Sequence, residues 1–187
     1  MNLEEKNPFI FIISGKARHG KDTVAKMIRD AYERIGLNTI NLQYSTPIKE
    51  YAKKISNWDG SEETKPRELL QTLGTELIRQ KIDFLFFVKR MISDIKVYSY
   101  FFDIITISDA RAKVELDIPK QELKNVIVIN VTRPSLESEL TANEQKHYTE
   151  TDLDDYNNFD YKIVNDGTLE DLEEKVGIIL EDIKRRF

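Results

Sequence analysis

The sequence predicts an α/β fold, a parallel sheet of about five strands with helices on both faces. Two observations carry that prediction. Short apolar runs alternate along the chain with stretches of three- and four-residue hydrophobic period, and the first run ends at a glycine that opens a loop into the first helix. With 187 residues, 40% of them hydrophobic and 33% charged, the chain suits one domain that buries a substantial core.

The continuous apolar run Phe9–Ile13 is what a strand buried on both faces requires. Val24, Met27, Ile28, Ala31 and Ile35 recur at helical spacing, and Gly36 stands where a helix end favours a left-handed residue. Asn38–Leu42 reads as a second strand, Pro47 opens a helix through about Ser56, and the polar stretch 57–66 reads as a loop. Leu69, Leu70, Leu73, Leu77 and Ile78 define a helix over Arg67–Lys81, and Leu85, Val88, Ile92 and Ile95 another over Phe84–Lys96. Phe102–Ser108 and Val126–Val131 are the third and fourth strands. Between them Ala112–Lys124 is helical in part, with Pro119 interrupting it. Tyr161–Val164 is the last strand. The final helix, Thr168–Arg186, opens with a capping box of Thr168 and Asp171 and closes on Lys184-Arg185-Arg186, which complement the helix dipole. Two stretches break the alternation: 44–96, which is helical, and 134–158, which is acidic and without period. Such excursions sit over the ligand crevice at the carboxyl ends of strands.

Composition narrows the chemistry. The absence of cysteine removes disulfides, thiolate zinc sites, iron–sulfur clusters and a cysteine nucleophile, and two isolated histidines make no histidine-rich metal site. The longest apolar runs are five residues, against about 20 for a membrane span. The charged stretch Met1-Asn2-Leu3-Glu4-Glu5-Lys6 fits no secretory leader, so a cytoplasmic location is expected. A net charge of −5 argues against a nucleic-acid-coating protein, while local positive charge remains available to grip a small anion.

Gly15-Lys16-Ala17-Arg18-His19-Gly20-Lys21-Asp22-Thr23 has P-loop spacing and lies between a buried strand and an amphipathic helix. Glycine lets the backbone curl so that N–H groups point inward, the helix N-terminus adds positive potential, and Lys21 reaches the terminal phosphates. The expected fold is therefore the three-layer P-loop architecture. Where the usual loop carries Ser or Thr after the lysine to ligate magnesium, this one has Asp22. That carboxylate serves either the magnesium sphere or an N-terminal helix cap. Thr23 is a candidate donor to the α-phosphate. Ile104–Ser108 runs into Asp109, an acid at the carboxyl edge of a strand that suits orienting magnesium or the attacking oxygen, and Arg111 suits clamping an acceptor phosphate. Lys16, Arg18, Lys49, Arg67 and Arg133 are further cations for a transition state of dispersed negative charge. Arg79, Lys89 and Arg90 read as surface or structural residues, His19 as a loop-shaping side chain, and His147 has no partner at a recognisable spacing.

These residues resemble the phage-type deoxynucleoside monophosphate kinases, within the P-loop nucleoside monophosphate kinase group. The resemblance runs nearly end to end: the Gly-Lys-Asp-Thr loop, Pro47-Ile48-Lys49, Leu73-Gly74-Thr75-Glu76-Leu77-Ile78 preceded by Arg67 and Gln71, Asp109-Ala110-Arg111, Val131-Thr132-Arg133-Pro134, His147-Tyr148-Thr149-Glu150 and Asn165-Asp166-Gly167-Thr168. It implies a single P-loop kinase domain over 1–187, with a core of 1–43, 97–133 and 159–187. An acceptor-binding helical insertion would span about 44–96, a lid about 134–158, and Asn165 and Gly167 would lie in an adenine-contacting turn. It implies ATP as donor, Mg²⁺ held by Asp22 and Asp109, and catalysis by Lys21, Asp109, Arg111 and Arg18. Residues 15–23 and Arg133 would bind ATP. Lys49, Arg67, Gln71, Thr75 and Arg111 would bind a small phosphorylated acceptor, a (deoxy)nucleoside monophosphate, with no nucleic-acid or membrane partner and a monomer or homodimer as the working unit. The expected lid carries Glu137, Glu139, Glu144, Glu150, Asp152, Asp154 and Asp155 against Lys146 alone, so Arg18, Arg111 and Arg133 must supply the closing charge. The animal-type phosphomevalonate kinases share a Gly-Lys-Asp loop, a Pro-Leu-Lys element, an Asp-x-Arg and a stretch similar to Asn158-Phe159-Asp160-Tyr161, which gives another phosphorylated acceptor as the alternative. Dephospho-coenzyme A kinase resembles the chain more distantly. A P-loop switch and an inactive P-loop scaffold are the remaining alternatives: no guanine-reading Asn-Lys-x-Asp follows any strand, and Lys21, Asp22, Asp109 and Arg111 are all retained.

Overall fold

Five strands pair in parallel in the order β2-β3-β1-β4-β5, namely β1 (Phe9–Ser14), β2 (Thr39–Leu42), β3 (Ile104–Ala110), β4 (Val126–Thr132) and β5 (Tyr161–Val164). The computed structural model describes residues 4–136 and 151–186. The expectations placed on Glu137, Glu139, Glu144, Lys146, His147 and Glu150 lie outside the described residues.

Parallel pairing demands cover on both faces, and the side-chain alternation of β1 supplies it. Phe11 and Ile13 pack with Val24 and Ile28 of α1 (Lys21–Glu33) and with Val176 and Leu180 of the last helix. Ile10 and Ile12 pack on the other face with residues from the intervening helices, among them Phe87, Met91 and Leu116. Helix α1 ends at Glu33 with Arg34 as its cap; the expected stop, Gly36, follows in the turn, where its φ of +85° allows Leu37 N–H to bond back to the Tyr32 carbonyl.

Between β2 and β3 the chain is helical: α2 (Thr46–Ser56), α3 (Arg67–Gln71) running on without a break as a wider π-type coil (Thr72–Ile82), and α4 (Phe86–Tyr98). The single α-helix expected over Arg67–Lys81 is thus corrected. The wide coil is closed by Asp83 N–H bonding the Ile78 carbonyl five residues back, and it leaves Leu77, expected in the core, 43% exposed. Gly74 permits the close approach of α2, since a Cβ there would lie 2.9 Å from Cδ1 of Ile48.

After β3, α5 (Lys113–Glu122) runs through Pro119, which does not interrupt it. Proline removes the N–H that would bond the carbonyl of residue 115. That carbonyl is instead taken by the hydroxyl of Tyr44, 2.8 Å away. The last helix, α6 (Leu169–Arg186), begins with the expected box: Thr168 N–H donates to Asp171 Oδ2 at 2.8 Å, and Asp171 N–H to Thr168 Oγ1 at 3.2 Å. Among the described residues no helix is long and apolar enough to cross a membrane.

Candidate active site

The loop between β1 and α1 crosses the end of β4 so closely that only glycine fits its first position. Gly15 has φ +147°, and a Cβ there would lie 2.2 Å from the Val131 carbonyl oxygen. Gly20, at φ +100°, caps α1 with no side-chain cap bond to the amides that open the helix. Those amides and the positive end of α1 form an anion cradle. Lys21 is 7% exposed and donates from Nζ to the Lys16 carbonyl at 2.8 Å, folding its ammonium across the loop. His19 shapes the loop, as expected: its Nδ1 accepts from Arg133 N–H at 3.3 Å and its carbonyl accepts from Asn165 Nδ2 at 3.0 Å. Asn165 and Gly167 thus belong to a β5–α6 turn that touches the loop. Lys16 pairs with Asp154 at 2.9 Å.

Asp22 is not the helix cap. Gly20 holds that position, and Asp22 lies in the first turn with its Oδ1 accepting from Ser108 Oγ at 2.6 Å. The cap reading is corrected by two residues of chain: the loop enters the helix at the second glycine, ahead of the acid.

A cavity of about 580 Å³ opens from the loop towards α2, α3 and the wide coil. It collects most of the residues singled out in the sequence: Ala17, Arg18, Lys21 and Asp22 from the loop and α1, Lys49 from α2, Arg67, Gln71 and Thr75 from α3 and the coil, and Asp109 and Arg111 from the end of β3. Gly15, Lys16, His19 and Arg111 border a second, smaller cavity of about 300 Å³ together with Thr132 and Asp154. Gly20 and Thr23 lie at the loop–helix junction, and Arg133 is exposed beyond β4; none of the three lines either cavity.

The approach of β3 to this cavity depends on an irregularity. Ile12 pairs with Ile107 and Ser14 with Ala110, so two steps on β1 face three on β3. Such a bulge re-aims side chains beside functional sites. The Asp109 carboxylate accepts from Tyr44 N–H at 2.9 Å and Ser45 N–H at 3.0 Å, tying β3 to the entry of α2.

The walls hold residues the sequence reading missed. Arg79, read as surface or structural, lines the cavity: its side chain is 12% exposed and pairs with Glu115, 3% exposed. The other Glu115 oxygen accepts from Arg111 N–H at 2.7 Å and Ala112 N–H at 3.1 Å, so one buried carboxylate fixes both the coil and the turn bearing Arg111. Burial pushes the Glu115 carboxyl above its usual range, against the pull of Arg79 and these amides. Burial, reinforced by Glu115 and Asp109, likewise raises the Tyr44 phenol well above its ordinary value. Lys65 also lines the cavity and bonds Glu62. Lys89 and Arg90 pair with Asp83 and Asp94 on the surface, as expected of structural cations. In all, seven cationic side chains (Arg18, Lys21, Lys49, Lys65, Arg67, Arg79, Arg111) face four acidic ones (Asp22, Glu62, Asp109, Glu115) in a chain of net charge −5.

Among the described residues no cluster of three or more metal-binding side chains exists. A magnesium ion that keeps phosphate oxygens and waters in its shell needs only one or two carboxylates, and Asp22 beside the anion cradle meets that need. Asp109 spends one acceptor site of each oxygen on a main-chain amide.

A buried central strand, a glycine-opened loop and a helix start without a side-chain cap, at the carboxyl end of a 2-3-1-4-5 parallel sheet, define the fold of the P-loop kinases. Solved structures share it: an APS kinase from Mycobacterium tuberculosis in complex with AMPPNP and APS superposes with a TM-score of 0.60 at 11% identity, over 94% of this chain and 98% of that one. A sugar kinase from Janibacter sp. gives 0.58 at 14% identity, over 93% and 95%. The chain belongs to the deoxynucleotide monophosphate kinase family, whose model matches residues 42–176. A deoxynucleotide monophosphate kinase of Enterobacteria phage T4 is 33% identical over 111 residues, which cover 59% of this chain and 43% of that relative. The family match decides between the two resemblances in favour of the nucleotide kinases.

Proposed function

We propose that the chain transfers the γ-phosphoryl group of ATP to the phosphate of a deoxynucleoside monophosphate, giving the diphosphate and ADP. The observation that carries this reading is a cavity rich in cationic side chains that opens directly onto the P-loop, so that an acceptor dianion and the donor's terminal phosphate meet at Lys21, Arg18 and Arg111. Phosphoryl transfer asks little of a protein beyond holding two phosphates in line and neutralising the charge that spreads between them.

The loop amides from Gly15 to Thr23 would hold the donor phosphates, with Lys21 swinging from the Lys16 carbonyl onto them. Asp22 would hold magnesium, supported by Asp109, and the ion would supply positive charge to offset that of the donor phosphates. Lys49, Arg67 and Arg111 would grip the acceptor phosphate, with Arg79 joining them from the coil, and Gln71 and Thr75 would face its base or sugar. Asn165, Gly167 and Arg133 would border the adenine. In this reading 44–96 is the acceptor-binding insertion, 134–158 the lid and the remainder the core. The working unit is a cytoplasmic monomer or homodimer acting on small molecules.

The test couples ADP release to each of a panel of deoxynucleoside and nucleoside monophosphates, with phosphomevalonate included. Acceptor-dependent ADP formation with one or more nucleotides is expected, falling by about 10²–10⁴-fold in Lys21→Ala with the fold retained, as loss of a main charge-stabilising group implies. Hydrolysis that ignores every acceptor, or a Lys21→Ala variant of near-full activity, would overturn the proposal.

A further inference from the structure

Position 22 has a carboxylate where P-loops usually carry a hydroxyl, and the fold brings a hydroxyl to it from another element. Ser108 of β3, 1% exposed, donates from Oγ to Asp22 Oδ1 at 2.6 Å. Behind Ser108 the bonds continue. Asn41 Nδ2 of β2 donates to Ser108 Oγ at 3.4 Å, Thr106 Oγ1 donates to Asn41 Oδ1 at 2.8 Å, and Arg29 Nη1 of α1 donates to Thr106 Oγ1 at 2.7 Å. The Ile40 carbonyl, 3.3 Å from Thr106 Oγ1, is the more distant of that hydroxyl's two acceptors.

The ends of this chain fix its direction. A guanidinium only donates and an ionised carboxylate only accepts, so every proton points from Arg29 towards Asp22. Bonds aligned in this way polarise one another. Strand geometry assembles the chain: Asn41 is in register with Thr106, and Thr106 and Ser108, two residues apart, share the face that α1 covers. Arg29 follows Asp22 by seven residues, two turns along the same side of α1.

We infer that Ser108 is a positioning residue for the cation that accompanies the donor phosphates, with Thr106, Asn41 and Arg29 as its support. This rests on the donor-site reading proposed above. With Oδ1 tied to Ser108, the Asp22 carboxylate is restrained at the cavity wall and its Oδ2 would be the oxygen offered to the cation. The Asp22 carboxylate thereby stands in for the hydroxyl that position 22 lacks, and Ser108 holds it from the neighbouring strand. Partners of this kind hold metal-binding carboxylates in other proteins, and their loss typically costs ~10–100-fold in metal affinity or activity.

The measurement is calorimetric titration of ADP into the full chain with and without Mg²⁺, whose ratio gives the factor by which the metal tightens the nucleotide. In Ser108→Ala that factor is expected to fall by about 10-fold or more while metal-free ADP affinity stays within about twofold. Ser108→Thr, which keeps the hydroxyl, restores it. Thr106→Val, nearly isosteric and away from the cavity, cuts the chain two links back and lowers the factor by a smaller amount. A purely structural serine would weaken metal-free and metal-loaded binding in parallel, and that result overturns the inference, as does a full metal effect in Ser108→Ala. If the unaltered chain binds ADP without any metal effect, the magnesium assignment and the relay fall together. If it binds no ADP at all, the donor-site reading itself fails.

Discussion

At position 79 a guanidinium meets a carboxylate in surroundings that leave neither much water, with the Phe87 ring 5.5 Å from the guanidinium carbon. Such a pair adds little net stability over an apolar substitute, but removing one partner strands a buried charge. Arg79→Met is therefore expected to lower unfolding free energy by about 3–5 kcal/mol. Glu115→Gln in the same chain should recover much of that loss, because no charge then remains to be buried. Urea unfolding of both variants and the double variant checks this. Equal destabilisation in the double variant would mean that Arg79 matters through its packing. Acceptor KM should rise in Arg79→Met and in the double variant alike, since both lack the cation that lines the cavity.

Helix α5 shows how one element is completed by another. Its internal proline leaves the Glu115 carbonyl without a helical donor, and Tyr44, at the entry to α2, fills the place while its ring packs in the core. A buried acceptor that loses its donor costs about 1–3 kcal/mol. Tyr44→Phe is expected to lose about that much in the native background and clearly less in Pro119→Ala, where a restored N–H takes over the carbonyl. A thermal-unfolding double-variant cycle reads the coupling, and additive losses would show that the two residues act independently. The wide coil carries a related lesson. Its five-residue bonding displaces the Leu77 face from the core and brings Thr75 and Arg79 to the cavity wall, a trade of packing for function that π-type turns often make.

Across the whole molecule, two populations of carboxyl groups oppose each other in pH dependence. Asp171 is held below its ordinary range by the main-chain and hydroxyl groups of Thr168, Asp83 by Lys89, Asp166 by Lys175 and Asp182 by Tyr161. Each contributes stability that is present above the unfolded value of about 3.9 and is lost as pH falls through the lower folded value. Glu115 has the other sign. Its raised folded value contributes stability below the unfolded value of about 4.3, and that contribution disappears as pH rises through the folded value. As pH falls, stability is thus expected to rise while folded Glu115 takes up its proton and then to fall below about pH 4, where the aspartates take up theirs. Urea midpoints measured between pH 2 and 8 test this. Glu115→Gln should flatten the upper limb and leave the acid limb in place, and Asp171→Asn should shallow the acid limb.

The parallel sheet, the P-loop, the capping box of α6 and about half of the cavity wall were legible from the sequence: an unbroken apolar run, glycines at fixed offsets and Thr168 followed by Asp171 are local signals. The role of Asp109 as a clamp on the Tyr44 and Ser45 amides was not, since it joins residues some 65 positions apart. Arg79 looked like an ordinary helix-face cation, because periodicity assumes an α-helix and cannot announce a wider coil. One signal was available for the relay: Thr106 and Ser108 are polar residues at alternate positions of an otherwise apolar strand, which marks a polar seam on one face. Sequence alone thus determined which chain segments form the sheet and where the glycine-opened loop enters α1. Only the tertiary structure decided which distant charges are buried together, because partner choice depends on burial and on bond geometry across elements, and neither has a local period.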